Sequence, residues 1–172
     1  MLGKDYEAQD CSLARALEVV GERWTLLILR DAFYGVRRFN EFQAHLDIPK
    51  AVLSDRLSGL VEDGILERRT DPEHAGRHLY ELTAVGRDLW PALHALLVWG
   101  GRHRARNSRV FKHASCGTAL DDRGLCPTCG ITPGPQDILS EPRPAGRKQP
   151  LRDDPVAIAL RAPRRLLEPI ET

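Results

Sequence analysis

The chain has 172 residues, 42% of them hydrophobic and 28% charged, and a formal net charge of +1. That composition suits an ordinary soluble protein with one compact domain and appendages. No apolar run approaches the ~18 residues of a membrane span, and the first residues lack the apolar core of a signal peptide; the expected compartment is the cytoplasm, where thiols stay reduced.

Four helices are predicted first. Leu13, Ala16, Leu17 and Val20 recur at helical spacing, with Asp10 or Ser12 placed to cap and Gly21 to stop. The next helix carries Trp24, Leu27, Ile28 and Ala32 as its stripe and ends at Gly35. Phe39, Phe42 and Leu46 mark the third. Asp47, Ile48 and Pro49 form a turn, the proline suiting a helix start. The fourth turns Leu53, Leu57, Leu60 and Val61 inward and stops at Gly64.

Beyond Gly64 the period changes. Residues 65–70 and 77–82 read as strands around the turn formers of 71–76. Thr83 then caps a long helix with Val85, Leu89, Leu93, Leu96, Leu97 and Gly100 on its face. Pro91 predicts a kink or split in that helix. Helix, short turn, helix and a two-stranded wing make a winged helix-turn-helix, mainly α with a small β-wing. Such a shape sets one helix into a DNA major groove.

With Leu53 at the centre of the buried face of the fourth helix, a turn of about 100° per residue sends Ala51, Ser54, Asp55 and Ser58 outward. Lys50 lies at the edge of that face. Lys50 suits a phosphate or guanine, Ser54 a base or phosphate, and Asp55 either cytosine N4 or a nearby arginine. Arg56 joins this expected DNA-binding set. From the wing come Arg69, Arg77 and His78, with His74 beside them, placed for the backbone or minor groove. Arg68, on the wing stem, suits packing or an internal ion pair as well as it suits DNA. A basic run, Arg102, Arg104, Arg106, Arg109 and Lys112, contains no acid. It reads either as a solvated helix end or as a contact to phosphate or a partner.

The residues Cys11, Gly21 to Arg30 (GERWTLLILR), Arg38 to Phe42 (RFNEF), Leu53 to Leu57 (LSDRL), Asp63 to Leu66 (DGIL), Tyr80 to Thr83 (YELT) and Trp99-Gly100 together resemble the HxlR-type winged-helix regulators, relatives of the MarR group. The resemblance covers roughly residues 10–105. It implies a bacterial transcription regulator that binds a palindromic double-stranded DNA operator as a homodimer. It places the dimer interface on the first and last helices, at Leu13, Leu17, Leu89, Leu93, Leu96 and Trp99. Cys11 occupies the place where some members sense oxidants, although Ser12 stands where the family usually has proline. The family offers redox agents, small molecules or no ligand as effectors.

After the last helix come two similar turns. His113 and Cys116 precede Gly117; Cys126 and Cys129 precede Gly130. Two residues between ligands let both atoms reach one ion, and glycine can supply the positive φ of such a knuckle. Three thiolates and an imidazole form a closed tetrahedral shell suited to structural zinc, in a small element resembling a zinc ribbon. The rival reading makes Cys126 and Cys129 a redox dithiol, as in a thiol-redox enzyme. No Ser-His-Asp arrangement, Gly-rich phosphate loop or paired carboxylates point to another enzyme. Eight of the twelve prolines lie beyond Ile131, which predicts a largely disordered tail with at most a short helix over 156–167. The expected organisation is thus an arm at 1–9, the DNA-binding and dimerisation domain at 10–106, a zinc element at 111–131 and a tail at 132–172. An adaptor that holds another protein through the zinc element and tail is the other functional reading.

Overall fold

The computed structural model describes residue 6 and residues 8–104, 109–143 and 152–170. The helices α1 (Ser12–Val20), α2 (Thr25–Phe33), α3 (Phe39–Leu46) and α4 (Lys50–Glu62) precede a hairpin of β1 (Leu66–Thr70) and β2 (His78–Leu82). Then come α5 (Ala84–Arg87), α6 (Trp90–His103) and β3 (Arg109–His113). A 3-10 turn (Pro135–Asp137), β4 (Ile138–Pro142), α7 (Pro155–Ala159) and β5 (Arg164–Arg165) complete the order. Most of the expected arm, and Arg106 of the basic run, lie outside the described residues.

The winged helix-turn-helix is confirmed, and the apolar spacing explains it. Ile28, Leu29, Phe33, Phe42, Leu53 and Leu57 interdigitate with essentially no exposure. Each such side chain contributes about 1.5–3 kcal/mol by leaving water, which outweighs local propensity. At the start of α3, the Glu41 carboxylate accepts from the Arg38 N–H at 3.0 Å, a capping box. Asp47, with φ 52°, closes α3 in the left-handed region and turns the chain toward α4. Thr83 caps α5 by accepting from the Gly86 N–H at 3.1 Å, while its hydroxyl donates to the Gly64 carbonyl at 2.7 Å. Pro91 falls in the first turn of α6, so the predicted long helix is split into α5 and α6.

The proline-rich segment departs from expectation. Over its described residues it is folded, not disordered. Its prolines stand where a missing N–H costs little: Pro135 opens the 3-10 turn, Pro142 ends β4, and Pro155 opens α7. The expected helix over 156–167 shrinks to α7, capped by the Asp154 carboxylate on the Ala157 N–H at 2.9 Å. β4 pairs with β3, setting His113 opposite Ile138, and with β5, setting Ser140 opposite Arg164.

Past β5 the chain lies against the end of α2. The Leu167 N–H donates to the Phe33 carbonyl at 2.8 Å, and the Ile170 N–H to the Gly35 carbonyl at 3.0 Å. Val156, Leu166 and Ile170 complete the main core. We call residues 152–170 the strap. Polar groups pin it to the helices. The His45 Nδ1 and Asp154 Oδ1 lie 3.0 Å apart, and Arg152 donates to the Ala44 carbonyl at 2.8 Å. Asp31 is wholly buried beneath this contact, bound by Arg30 at 2.7 Å; burial raises its carboxyl despite Arg30 and His45.

Candidate nucleic-acid interface and metal centre

α4 presents two distinct faces. Leu53, Leu57 and Leu60 point into the core, while Lys50, Ala51, Ser54, Asp55 and Ser58 are exposed. Small polar side chains over a firmly packed base allow close approach to base edges. Arg56 does not join them. It is half-buried, paired with Asp55 at 2.7 Å and reaching Glu22 at 3.8 Å, so its guanidinium faces the α1–α2 corner. Asp55 takes the arginine-paired alternative of the two read from the sequence.

On the wing, Arg77 and His78 are exposed, and Arg69 is exposed but engaged by Glu67 at 2.6 Å and Glu81 at 3.7 Å. The wing is fixed to α3 by an ion cluster that the sequence does not announce. Arg38, just ahead of α3, reaches Asp71 at 3.0 Å, Glu73 at 2.8 Å and Glu41 at 3.5 Å. Asp71 also accepts from the Glu73 N–H at 2.9 Å, and His74 Nδ1 lies 3.2 Å from it. Burial alone would raise the Asp71 carboxyl, but these hydrogen bonds and the guanidinium hold it down at about 2. Between wing and α3 runs a groove of about 440 Å³, lined by Arg38, Phe39, Asn40, Gly76, Arg77, His78 and Tyr80.

The expected dimer residues divide. Leu13, Leu17, Leu96 and Trp99 are 42–64% exposed, one helical turn apart in pairs on α1 and α6. Leu89 is half-buried, and Leu93 is a correction: at 6% exposure it packs into the protomer's own core. The basic run divides: Arg102 and Arg104 are exposed at the end of α6, as the reading of a solvated helix end has it, while Arg109 and Lys112 lie in the sheet. Arg102 pairs with Asp122, and Lys112 with Glu141 at 2.6 Å. Arg109 is buried, donating to the Ser140 hydroxyl at 2.5 Å and the Leu160 carbonyl at 2.7 Å. Arg102, Arg109 and Lys112 thus brace the C-terminal sheet and the loop between the knuckles.

His113, Cys116, Cys126 and Cys129 converge, their ligand atoms all within 4.8 Å of one another. Cys116 Sγ lies 3.5 Å from His113 Nδ1 and 3.4 Å from Cys126 Sγ. Around a tetrahedral ion with ~2.3 Å bonds, sulfurs stand roughly 3.8 Å apart, so the spacing fits. Both knuckles close alike: the Gly117 N–H donates to the His113 carbonyl, and Gly130 N–H to the Cys126 carbonyl, each at 2.8 Å. Both glycines have positive φ, 72° and 67°. Hydrogen bonds from the Thr118 hydroxyl and N–H draw the Cys116 thiol down to about 6, and its bond to Cys129 pushes that thiol up to about 11. The set can hold a metal ion. Cys126 and Cys129 sit in a turn, with no helix following Cys126 of the kind that activates a redox dithiol. Cys11 is exposed at the start of α1.

The family profile described as HxlR-like helix-turn-helix matches residues 19–108. The chain belongs to this family. As an HxlR-type protein it is a DNA-binding transcriptional regulator, and the match ends just before β3. The HTH-type transcriptional regulator Rv3095 of Mycobacterium tuberculosis is 45% identical over 139 residues, covering 77% of this chain and 86% of its own. YdeP of Bacillus subtilis, also named an HTH-type transcriptional regulator, is 30% identical over 63% of this chain and 88% of its own. Among solved structures, the candidate transcription factor PA1607 superimposes with a TM-score of 0.54 at 40% identity, over 58% of this chain and 69% of that one. The redox regulator HypR in its reduced form gives 0.51 at 29% identity, over 55% and 94%. No helix among the described residues is long and apolar enough to cross a membrane.

Proposed function

We propose that this HxlR-type regulator works in the cytoplasm as a homodimer that binds a palindromic operator. Each protomer lays α4 in a major groove through Lys50, Ala51, Ser54 and Ser58. Arg77 and His78 of the wing follow the adjacent backbone, with Arg69 at the stem. The observation that carries this reading is the two-faced α4, polar and small outside, locked to the core inside, ahead of a wing clamped by Arg38 and Asp71. Leu13, Leu17, Leu96 and Trp99 supply the apolar surface for pairing, with Leu89 at its border. A two-fold dimer then sets its recognition helices about 34 Å apart, one turn of DNA. The test is Leu17→Asp. Ultracentrifugation should show a monomer, and affinity for a mapped operator should fall at least roughly 100-fold, as one half-site replaces two. A dimer with unchanged operator affinity would refute the assignment.

The metal centre is read as structural zinc held by His113, Cys116, Cys126 and Cys129. Bound there, zinc would supply folding energy to two knuckles that bury little apolar surface of their own. The adaptor reading loses its basis in a free tail, because the strap docks on its own chain. The comparison with HypR supports a redox effector acting at Cys11, whose thiol is open to solvent.

A further inference from the structure

The metal centre lies beyond the family match, yet the elements it organises return to the DNA-reading helices. We propose that metal occupancy at His113, Cys116, Cys126 and Cys129 sets operator affinity, by holding the strap against α2 and α3. This rests on the zinc and DNA-binding readings above.

The connection is continuous. His113 is both a ligand and the last residue of β3, facing Ile138 of β4. The Ala114 N–H donates to the Asp137 carbonyl at 2.8 Å, so the first knuckle carries the start of β4 directly. The Ile138 carbonyl in turn accepts from the Leu166 N–H at 2.9 Å. One residue later the strap bonds Phe33, and it ends on Gly35. At its other end Asp154 grips His45 of α3, the helix that leads into the turn before α4. The loop between the knuckles rests on α6, where Gly124 lies beside the His94 ring and Arg102 pairs with Asp122. Phe111 of β3 stacks edge-on against Trp90 of α6 at 5.1 Å. The module therefore touches both the helix expected to carry the dimer contact and the helices that aim α4.

The two-state element is the knuckle pair. Cys116 and Cys129 are exposed while His113 and Cys126 are buried, and the apolar side chains of Leu125 and Ile131 face solvent. Without an ion it is held mainly by short backbone hydrogen bonds such as Cys126 N–H to the Ile131 carbonyl, so a thiophilic divalent cation favours one state over the other. If the operator prefers the strapped state, metal and operator each strengthen the other by one shared factor.

The test uses the full chain with zinc at one ion per protomer and a duplex selected by the holoprotein from a random pool. Zinc is stripped with 1,10-phenanthroline under reducing conditions and then restored as zinc chloride. Stripping should weaken duplex binding roughly tenfold, restoration should recover it, and saturating duplex should tighten zinc by the same factor. Asp154→Ala, which leaves all four ligands intact, should keep its zinc. At full occupancy it should bind the duplex several-fold more weakly, with a smaller further loss on stripping. This variant decides the matter even if stripping melts the whole chain. Unchanged affinity in the stripped protein, or wild-type affinity and zinc response in Asp154→Ala, overturns the coupling. A holoprotein that selects no duplex, or takes up no zinc, overturns it by removing the reading beneath, and the two failures are separately visible.

Discussion

Replacing Gly35 by alanine tests how the strap is held. Gly35 ends α2 with φ +93°, and a Cβ there would run into the Glu168 carbonyl, a backbone atom that cannot rotate aside. The left-handed conformation costs an alanine about 1–2 kcal/mol. Moving the strap aside also strains two backbone hydrogen bonds, Leu167 to Phe33 and Ile170 to Gly35, at about 1 kcal/mol each. Alanine returns about 0.4–1 kcal/mol by stiffening the unfolded chain. The net expectation is a loss of about 2–3.5 kcal/mol, measured by urea unfolding followed by circular dichroism. Gly59→Ala is the internal contrast. Gly59 lies inside α4 with nothing within 4 Å of its would-be Cβ, so it should gain about 0.5–1 kcal/mol from helix propensity. A Gly35→Ala protein within about 0.5 kcal/mol of wild type, which is the usual range for innocuous surface changes, would refute the account of the strap.

Lys50→Ala should weaken binding to all duplexes alike and make the salt dependence shallower by roughly two units of slope for a dimer, about 0.9 per phosphate contact; a change confined to one base position would mean Lys50 reads sequence. Asp71→Asn should lose stability at neutral pH. Because the folded carboxyl is held below its ordinary 3.8 at about 2, its stabilisation is full above the unfolded value and disappears as pH falls through that window. Unfolding curves of wild type and variant should therefore converge between about pH 4 and 2, and a constant gap would contradict the clamp. Peroxide should change the operator affinity of wild type and leave Cys11→Ser untouched, judged by fluorescence anisotropy; an equal response would move the sensitivity to the knuckle thiols.

The helices, wing and metal set were legible because each rests on short spacing. Leu53, Leu57 and Leu60 announce one buried stripe, and His113 with Cys116 repeats in Cys126 with Cys129. What escaped depends on partners distant in sequence. Arg38 and Asp71 are 33 positions apart, and nothing local marks either as half of a clamp. Arg109 looked like surface charge until β4 and α7 supplied the hydroxyl and carbonyl that receive it. Proline density suggested disorder beyond Ile131, but composition does not tell prolines that break structure from prolines that begin it. Val156, Leu166 and Ile170 are too sparse to show a period, yet each fills a gap in a core already formed by α2 and α3.

The bond from Leu167 to Phe33 spans about 130 positions of chain. Closing so wide a ring is entropically slow, and nothing rewards it until the far end lands. Pairing of Phe111 with Ser140 shortens the search, since it delivers the later segment to a surface already built. Refolding should therefore end with this docking, and exchange of the Leu167 and Ile170 amides should outpace that of α2 and α4. Under the proposed coupling, a cell that withholds the ion would accumulate molecules arrested one step short of maturity, with their reading heads formed and their last stretch still searching.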